Sequence, residues 1–285
     1  MNLNKEHFKV IEYCPWCGEK KFEMLYRSEY EIPVNRCNAC GFVYSEKILN
    51  EAGMQVYWEN YESNVHMIDK DKNLKRKEMY RVESEYIKKY FEVRGSEILD
   101  VGCASGDFLD CFSSDGAICE GVEYGQEAAI IAAEKYNVYC GEFPKLGIKK
   151  QYDLIIFRGT IQYFTNPKEY FKKAVNLLKD NGFLYITSSP NTDSICFRLF
   201  KEKFNLPVCV TDYYGYSEKL ITEYMSQLGC RLVNKHNFYL ETPYASPEED
   251  ILKVAKAIEL HKCGKAIDFI APAFFDNMLT LIYKK

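Results

Sequence analysis

The chain has 285 residues, 47% hydrophobic and 27% charged, with a formal net charge of −4 and a pI near 5.8. That is the composition of a globular protein with a sizeable core, and it offers no basic field to hold a phosphate backbone, which disfavours a dedicated nucleic-acid binder. No stretch approaches the roughly 18 apolar residues that cross a bilayer, and MNLNKEHFKV has no signal-peptide core; a cytoplasmic chain is expected, its twelve cysteines held as thiols or metal ligands.

The first feature in chain order is CPWCG, Cys14 to Gly18, followed by CNACG, Cys37 to Gly41. Cys14, Cys17, Cys37 and Cys40 form C-x2-C-x19-C-x2-C, which falls in the range of four-thiolate zinc sites. Two cysteines three apart on a tight turn offer both sulfurs to one ion, and the glycine after each pair lets the chain leave with positive φ. A redox pair needs no second CxxC and would normally open a helix after a strand. Here Lys20 to Tyr26 reads as a short strand instead. All four sulfurs are needed to close the site, so the expected zinc is structural. The other eight cysteines (103, 111, 119, 140, 196, 209, 230, 263) show no ligand spacing and read as small core residues. The expectation is a zinc ribbon over residues 1–48, which leans on its metal to fold.

Residues 49–95 read as a linker and N-terminal helices. Tyr57 and Tyr61, in YWENY, either close over a ligand or simply pack at helical spacing, and His66 follows in the linker. A helix is expected from about Asp69 to Phe91, with the basic run Lys70 to Lys77 as its wet face. Strands are then expected at Glu97 to Val101, Ala117 to Val122, Asn137 to Cys140, Tyr152 to Phe157 and Phe183 to Ser188. Helices at Ser105 to Ser114, Gln126 to Lys135 and Pro167 to Lys179 alternate with them. This alternation implies an α/β fold, a doubly wound, mostly parallel sheet covered on both faces, over residues 96–285. A helix at Ser217 to Leu228 and strands at Cys230 to Tyr239 and Met278 to Tyr283 complete it. A helical insert lies near 241–276, opened by a capping box at Ser246-Pro247-Glu248-Glu249.

The most informative segment is ILDVGCASGDF, Ile98 to Phe108. A buried strand runs through Asp100 into Gly102, then Gly106, then a helix. In a parallel sheet the ligand crevice lies beyond the carboxyl ends of the strands, and a glycine turn there admits a ligand close to the backbone. Glu123 ends the next strand, at a distance from Asp100 that suits an acid binding a ribose diol. Dinucleotide sites prefer G-x-G-x-x-G, but position 104 is alanine and the register is G-x-x-x-G.

That register resembles the first motif of class I S-adenosylmethionine-dependent methyltransferases. The resemblance gives Asp100 a place near the methionyl amino group of S-adenosyl-L-methionine, Gly102 and Gly106 the turn against it, and Glu123 the ribose hydroxyls. Glu142 and Phe143, in Gly141-Glu142-Phe143, resemble the adenine-contacting segment. Tyr152 to Asn191 resembles the family's fourth strand, helix and fifth strand. A subset of bacterial members carries a ribbon of this kind in front, and many of those modify sugars or other small hydroxylated metabolites in surface-polysaccharide or natural-product pathways. Two departures stand out: Gln162-Tyr163 replaces a common Glu-His pair, and Asp212 stands near a common histidine position.

The resemblance therefore implies a methyltransferase acting on a small hydroxylated acceptor, a free or nucleotide-linked sugar, as a monomer or homodimer. A hydroxyl acceptor attacks in line with the departing sulfur as a base takes its proton. Asp212 is the first candidate base, and Tyr163 and Tyr214 are candidates to position the acceptor. Arg158 either binds an acidic acceptor or pairs with a surface acid, and His236 reads as a structural histidine within a strand. The rivals are a zinc-module ribosomal-RNA methyltransferase, a non-catalytic binding module that keeps the cofactor fold, and, weakest, a nicotinamide dehydrogenase.

Overall fold

The computed structural model describes residues 3–28, 31–59 and 70–285. Tyr61 and His66 lie outside them. The N-terminal part consists of short strands: β1 (Phe8–Val10), β2 (Phe22–Arg27), β3 (Pro33–Cys37), β4 (Val43–Ser45) and β5 (Lys47–Leu49). Helices α1 (Glu51–Trp58) and α2 (Lys70–Ile87) follow. Asn50 caps α1, its side chain accepting from Gly53 N at 2.9 Å. Helix α2 buries Met79, Tyr80, Glu83, Ser84 and Ile87, a stripe at three- and four-residue spacing.

The alternating region then runs β6 (Glu97–Val101), α3 (Asp107–Ser113), β7 (Ile118–Glu123), α4 (Gln126–Ala133), β8 (Asn137–Cys140), β9 (Tyr152–Arg158), α5 (Pro167–Leu177) and β10 (Leu178–Pro190). It closes with α6 (Ile195–Phe200), β11 (Tyr214–Gly215), α7 (Glu218–Gln227), β12 (Arg231–Lys235), α8 (Pro247–Lys262) and β13 (Met278–Lys284). Seven strands form one sheet in the order β12-β13-β10-β9-β6-β7-β8. The five from β10 to β8 are parallel, and β13 runs antiparallel between β10 and β12. The central strands are buried on both faces, as helix-covered parallel strands must be. Helix α5 supplies Tyr170, Phe171, Ala174 and Val175 to one face, and α3 supplies Phe108, Leu109 and Phe112 to the other.

The ribbon residues share the core of the large sheet. Cys14, Trp16, Phe42 and Tyr44 belong to the same hydrophobic cluster as Phe157, Phe171 and Ile186. Trp16 lies 5.3 Å from Tyr224, 6.0 Å from Tyr216 and 6.2 Å from Phe171, measured between ring centroids. Strand β11 pairs with β4, aligning Tyr214 with Tyr44, so a segment distant in sequence completes the ribbon's four-stranded sheet.

Several expectations need correction. Ser246 makes no side-chain cap at α8. Its backbone N–H instead donates to the buried Asp250 Oδ2 at 2.7 Å, an oxygen that also accepts from Tyr239. Cys140 and Cys263 are exposed rather than in the core, and Cys111 and Cys209 are half-buried. His236 lies just beyond β12, 2.6 Å from Glu241 and stacked on Tyr86. Strand β10 begins earlier than its apolar run because Asp180-Asn181-Gly182 forms an irregularity inside it, with Asn181 at φ 66°. The basic run on α2 is not simply a wet face, since Lys72, Lys75 and Arg76 line the principal cavity.

Candidate active site

The carboxyl ends of β6, β7 and β9 open on one cavity of about 860 Å³. Beyond β6 the chain turns through Gly102 (φ 85°), Ala104 (φ 47°) and Gly106 (φ 85°) into α3. Gly102 is constrained twice over. Its φ is left-handed, and a Cβ there would lie 2.3 Å from Thr160 Cγ2. The turn is tied to β7 by Gly102 N and Cys103 N, which both donate to Val122 O. Gly106 faces the Tyr136 ring rather than the cavity.

Glu123 ends β7 and is buried. Its Oε2 accepts from Ala104 N at 2.9 Å, and its Oε1 accepts from Tyr124 N at 2.7 Å and Gly125 N at 2.8 Å. The carboxylate thus braces the turn and lines the cavity at once. Asp100 is 2% exposed, and its Oδ1 has no hydrogen-bond partner. Burial pushes its carboxyl up to about 7, against the nearby Arg158 and with help from Glu123 and Glu83. Glu142 pairs with Lys145 at 2.7 Å and accepts from Thr165. Burial raises the pKa of Glu142, but these two bonds outweigh it and hold the carboxyl below its usual range. Phe143 is buried against Tyr170 and Phe157 and also lines the cavity.

On the opposite wall, Gln162 donates to Gly159 O at 3.0 Å, while its Oε1 and the Thr160 hydroxyl are buried without partners. Tyr163 lines the cavity with its ring 5.0 Å from Trp58 and 6.3 Å from Tyr213. Asp212 stands one layer behind, outside the lining residues. Burial pushes it up to about 6, with the Tyr163, Thr211 and Gln162 side chains acting to lower it. Tyr214 also lies off the cavity. It packs on Phe42 and Tyr213, where it holds the ribbon to the loop bearing Asp212.

The structure therefore brings Asp100, Gly102, Glu123, Glu142, Phe143 and Tyr163 to one cavity, and leaves Gly106, Asp212 and Tyr214 behind its wall. Trp58, Arg76, Glu83, Tyr239 and the insert residue Tyr244, which sequence patterning does not single out, line it too. Arg158 pairs with a buried acid, Glu83, rather than a surface one.

Residues 61–269 match the family described as "Methyltransferase domain". The chain belongs to that family. Among curated relatives, a ubiquinone biosynthesis O-methyltransferase of Glaesserella parasuis is 24% identical over 34% of this chain and 47% of its own. A malonyl-[acyl-carrier protein] O-methyltransferase of Priestia megaterium is 29% identical over 38% of this chain and 44% of its own. The chain thus spans about half the length of the curated relatives it matches. The crystal structure of magnesium protoporphyrin IX methyltransferase from Synechocystis PCC 6803, with bound SAH, superposes with a TM-score of 0.56 at 12% identity, covering 83% of this chain and all of that one. The fold of this methyltransferase-domain protein is that of S-adenosylmethionine-dependent methyltransferases.

The donor set fits that cofactor. An orphaned carboxylate oxygen on Asp100 suits a cationic amino group, the Glu123 carboxylate at the end of β7 lines the same cavity and suits a diol, and the Gly102 turn leaves no room for a side chain. A pH dependence follows. Below about 7 the ligand-free Asp100 is protonated and must lose its proton to meet an ammonium. Affinity for S-adenosylhomocysteine is therefore expected to fall as pH drops below 7, by up to about tenfold per unit. Calorimetric titrations between pH 5.5 and 8 check this, and Asp100→Asn should flatten the profile.

The ribbon offers a metal site. The sulfurs of Cys14, Cys17, Cys37 and Cys40 all lie within 4.8 Å of one another. Cys14 and Cys40 are 3.6 Å apart, and Cys17 and Cys37 3.5 Å. A disulfide would need about 2.05 Å, whereas Zn–S bonds of about 2.3 Å put tetrahedral sulfurs about 3.8 Å apart. Both knuckles share one turn, with Gly18 N donating to Cys14 O and Gly41 N to Cys37 O. Four thiolates in this arrangement fit zinc.

Proposed function

We propose that this chain is an S-adenosylmethionine-dependent methyltransferase acting on a hydroxyl of a small acceptor, a free or nucleotide-linked sugar or similar metabolite, in the cytoplasm. The cavity carries this reading. Pockets for small ligands run about 300–1,000 Å³, and a cavity of about 860 Å³ supports a reading in which cofactor and a small acceptor share it. The acceptor's walls are aromatic, and the chain's net charge of −4 disfavours a polynucleotide. Residues 1–48 are read as a ribbon with a structural zinc, and residues 96–285 as the catalytic unit.

The bound cofactor supplies a methyl group activated by a sulfonium. Asp100 holds the amino group beside it, and Glu123 holds the ribose. The Gly102 turn, Thr160 and Gln162 fix the reacting end, and the two unpartnered oxygens of Thr160 and Gln162 are available to it. Tyr163, on the cavity, orients the acceptor hydroxyl. Its phenol passes the hydroxyl's proton back toward Asp212, whose raised pKa suits that task near neutrality.

Asp212 acts through Tyr163 and is a positioning residue. Asp212→Asn is expected to lower kcat by about tenfold to a hundredfold while leaving S-adenosylhomocysteine affinity intact. In the wild type, kcat should fall as pH drops through about 6, because a protonated Asp212 accepts nothing. The variant should lose that limb, a change that a purely structural role would not produce. The reading as a whole is tested by release of S-adenosylhomocysteine with a panel of sugars and nucleotide sugars. Turnover with one of them supports it. Turnover with RNA alone, or with none, opposes it.

A further inference from the structure

Arg158 ends β9 at the cavity floor and is held from one side only. Its Nε donates to Glu83 Oε2 at 2.6 Å. Glu83 is fully buried on α2, and its Oε1 accepts from Thr187 and Ser188, both at 2.7 Å. The Tyr80 ring lies 4.3 Å and the Phe108 ring 5.5 Å from the guanidinium carbon. The plane of the guanidinium is therefore fixed by its neighbours.

A guanidinium carries five N–H donors. No group among the described residues accepts from Nη1 or Nη2 of Arg158, although the side chain lines the cavity and keeps 16% exposure. Arg76 stands seven residues before Glu83, on the same face of α2, and lines the same cavity. Among the described residues its hydrogen-bond partner is the neutral Asn73, at 2.9 Å. Both guanidinium groups act on the same two phenols, Tyr80 from α2 and Tyr244 from the insert, lowering the pKa of each against its burial. Tyr80 lies under Arg158 and four residues after Arg76 on α2, and Tyr244 lines the same cavity, so the two charges adjoin one aromatic corner.

The remaining donors face the cavity, where a ligand anion can replace water on them with charge-assisted bonds. Planar guanidinium forks match carboxylate and phosphate oxygens two at a time. We propose that Arg158 and Arg76 hold an anionic group of the acceptor, a carboxylate or phosphate, so that the substrate is an acidic hydroxylated small molecule. This rests on the methyltransferase reading and narrows it. The corner is built by α2, the end of β9 and the insert, and it adjoins the cofactor end of the cavity, since Asp100 lies near Arg158. The same forks would also fit the cofactor's own amino-acid carboxylate, and the test must separate the two.

The test uses full-length, zinc-loaded protein. S-adenosylhomocysteine affinity is measured first. The saturated protein is then titrated with glucuronate, glucose phosphate and para-hydroxybenzoate, each against a neutral counterpart, glucose or para-hydroxybenzyl alcohol. At least one acid is expected to bind about tenfold or more tighter than its neutral counterpart, as charge-assisted bonds imply. Arg76→Gln should abolish that preference while changing S-adenosylhomocysteine affinity less than about twofold. Arg158→Lys should weaken the preference too, and Arg76→Gln decides the matter if Arg158→Lys misfolds. Equal binding of acids and neutrals, or no binding of either, would overturn the proposal. So would a tenfold loss of S-adenosylhomocysteine affinity in Arg76→Gln, which would assign the pair to the cofactor. A wild type that binds no S-adenosylhomocysteine would fail one step earlier, overturning the methyltransferase reading itself.

Discussion

Stripping the metal, or replacing Cys14 with serine, is expected to lower the thermal midpoint by about 10 °C and to abolish turnover. Losing a closed four-thiolate site removes several kcal/mol of folding free energy, and about 4 kcal/mol corresponds to about 10 °C for a chain of this size. The loss would not stay in the ribbon. Trp16 sits between the two halves of the first knuckle and packs on Phe42, Phe171, Tyr216 and Tyr224. Strand β4 pairs with β11, and Ser45 N donates to Tyr213 O at 2.9 Å, next to Asp212. Disorder in the ribbon therefore reaches the loop behind Tyr163. Calorimetric melts with chelator and after zinc is restored, run alongside a turnover assay, check this. An unchanged midpoint with full activity would reduce the four cysteines to packing.

Glu123→Ala is expected to weaken S-adenosylhomocysteine binding by about 30- to 1,000-fold. Two charge-assisted bonds to a ribose diol, at about 1.5–3 kcal/mol each before compensation, leave a net of about 2–4 kcal/mol, which is the quoted range. The variant also strips the acceptor from three backbone N–H groups, those of Ala104, Tyr124 and Gly125. Glu123→Gln separates the two effects. It keeps one oxygen for the turn but loses the charge, so it should retain stability and still bind more weakly than the wild type. Calorimetry gives both affinities. Equal affinity in wild type and alanine variant would remove Glu123 from the cofactor site.

The sheet was legible because its strands are short apolar runs between turn signals. Glu97–Val101 and Asn137–Cys140 fall where periodicity puts them. The glycine register and the position of Glu123 marked the cavity because both are local in sequence. What escaped depends on long-range packing. Strand β11 is two residues long and is defined by its pairing with β4, far away in sequence. The α8 cap went to Asp250 because burial and Tyr239 fix its carboxylate near the Ser246 N–H. Arg76 looked like part of a solvated run, since nothing in KDKNLKRK shows that α2 lies against the ends of β6 and β9. Asp212 reads as a carboxylate among tyrosines in sequence, but only the fold shows that Tyr163 lines the cavity and Asp212 does not.

The central claim is that the cavity at the ends of β6 and β7 binds S-adenosylmethionine. It is tested most directly by calorimetric titration of S-adenosylhomocysteine into zinc-loaded wild type at pH 8, where Asp100 is ionised. The account predicts one site per chain with micromolar affinity. Absence of binding to a folded protein carrying one zinc per chain would contradict it.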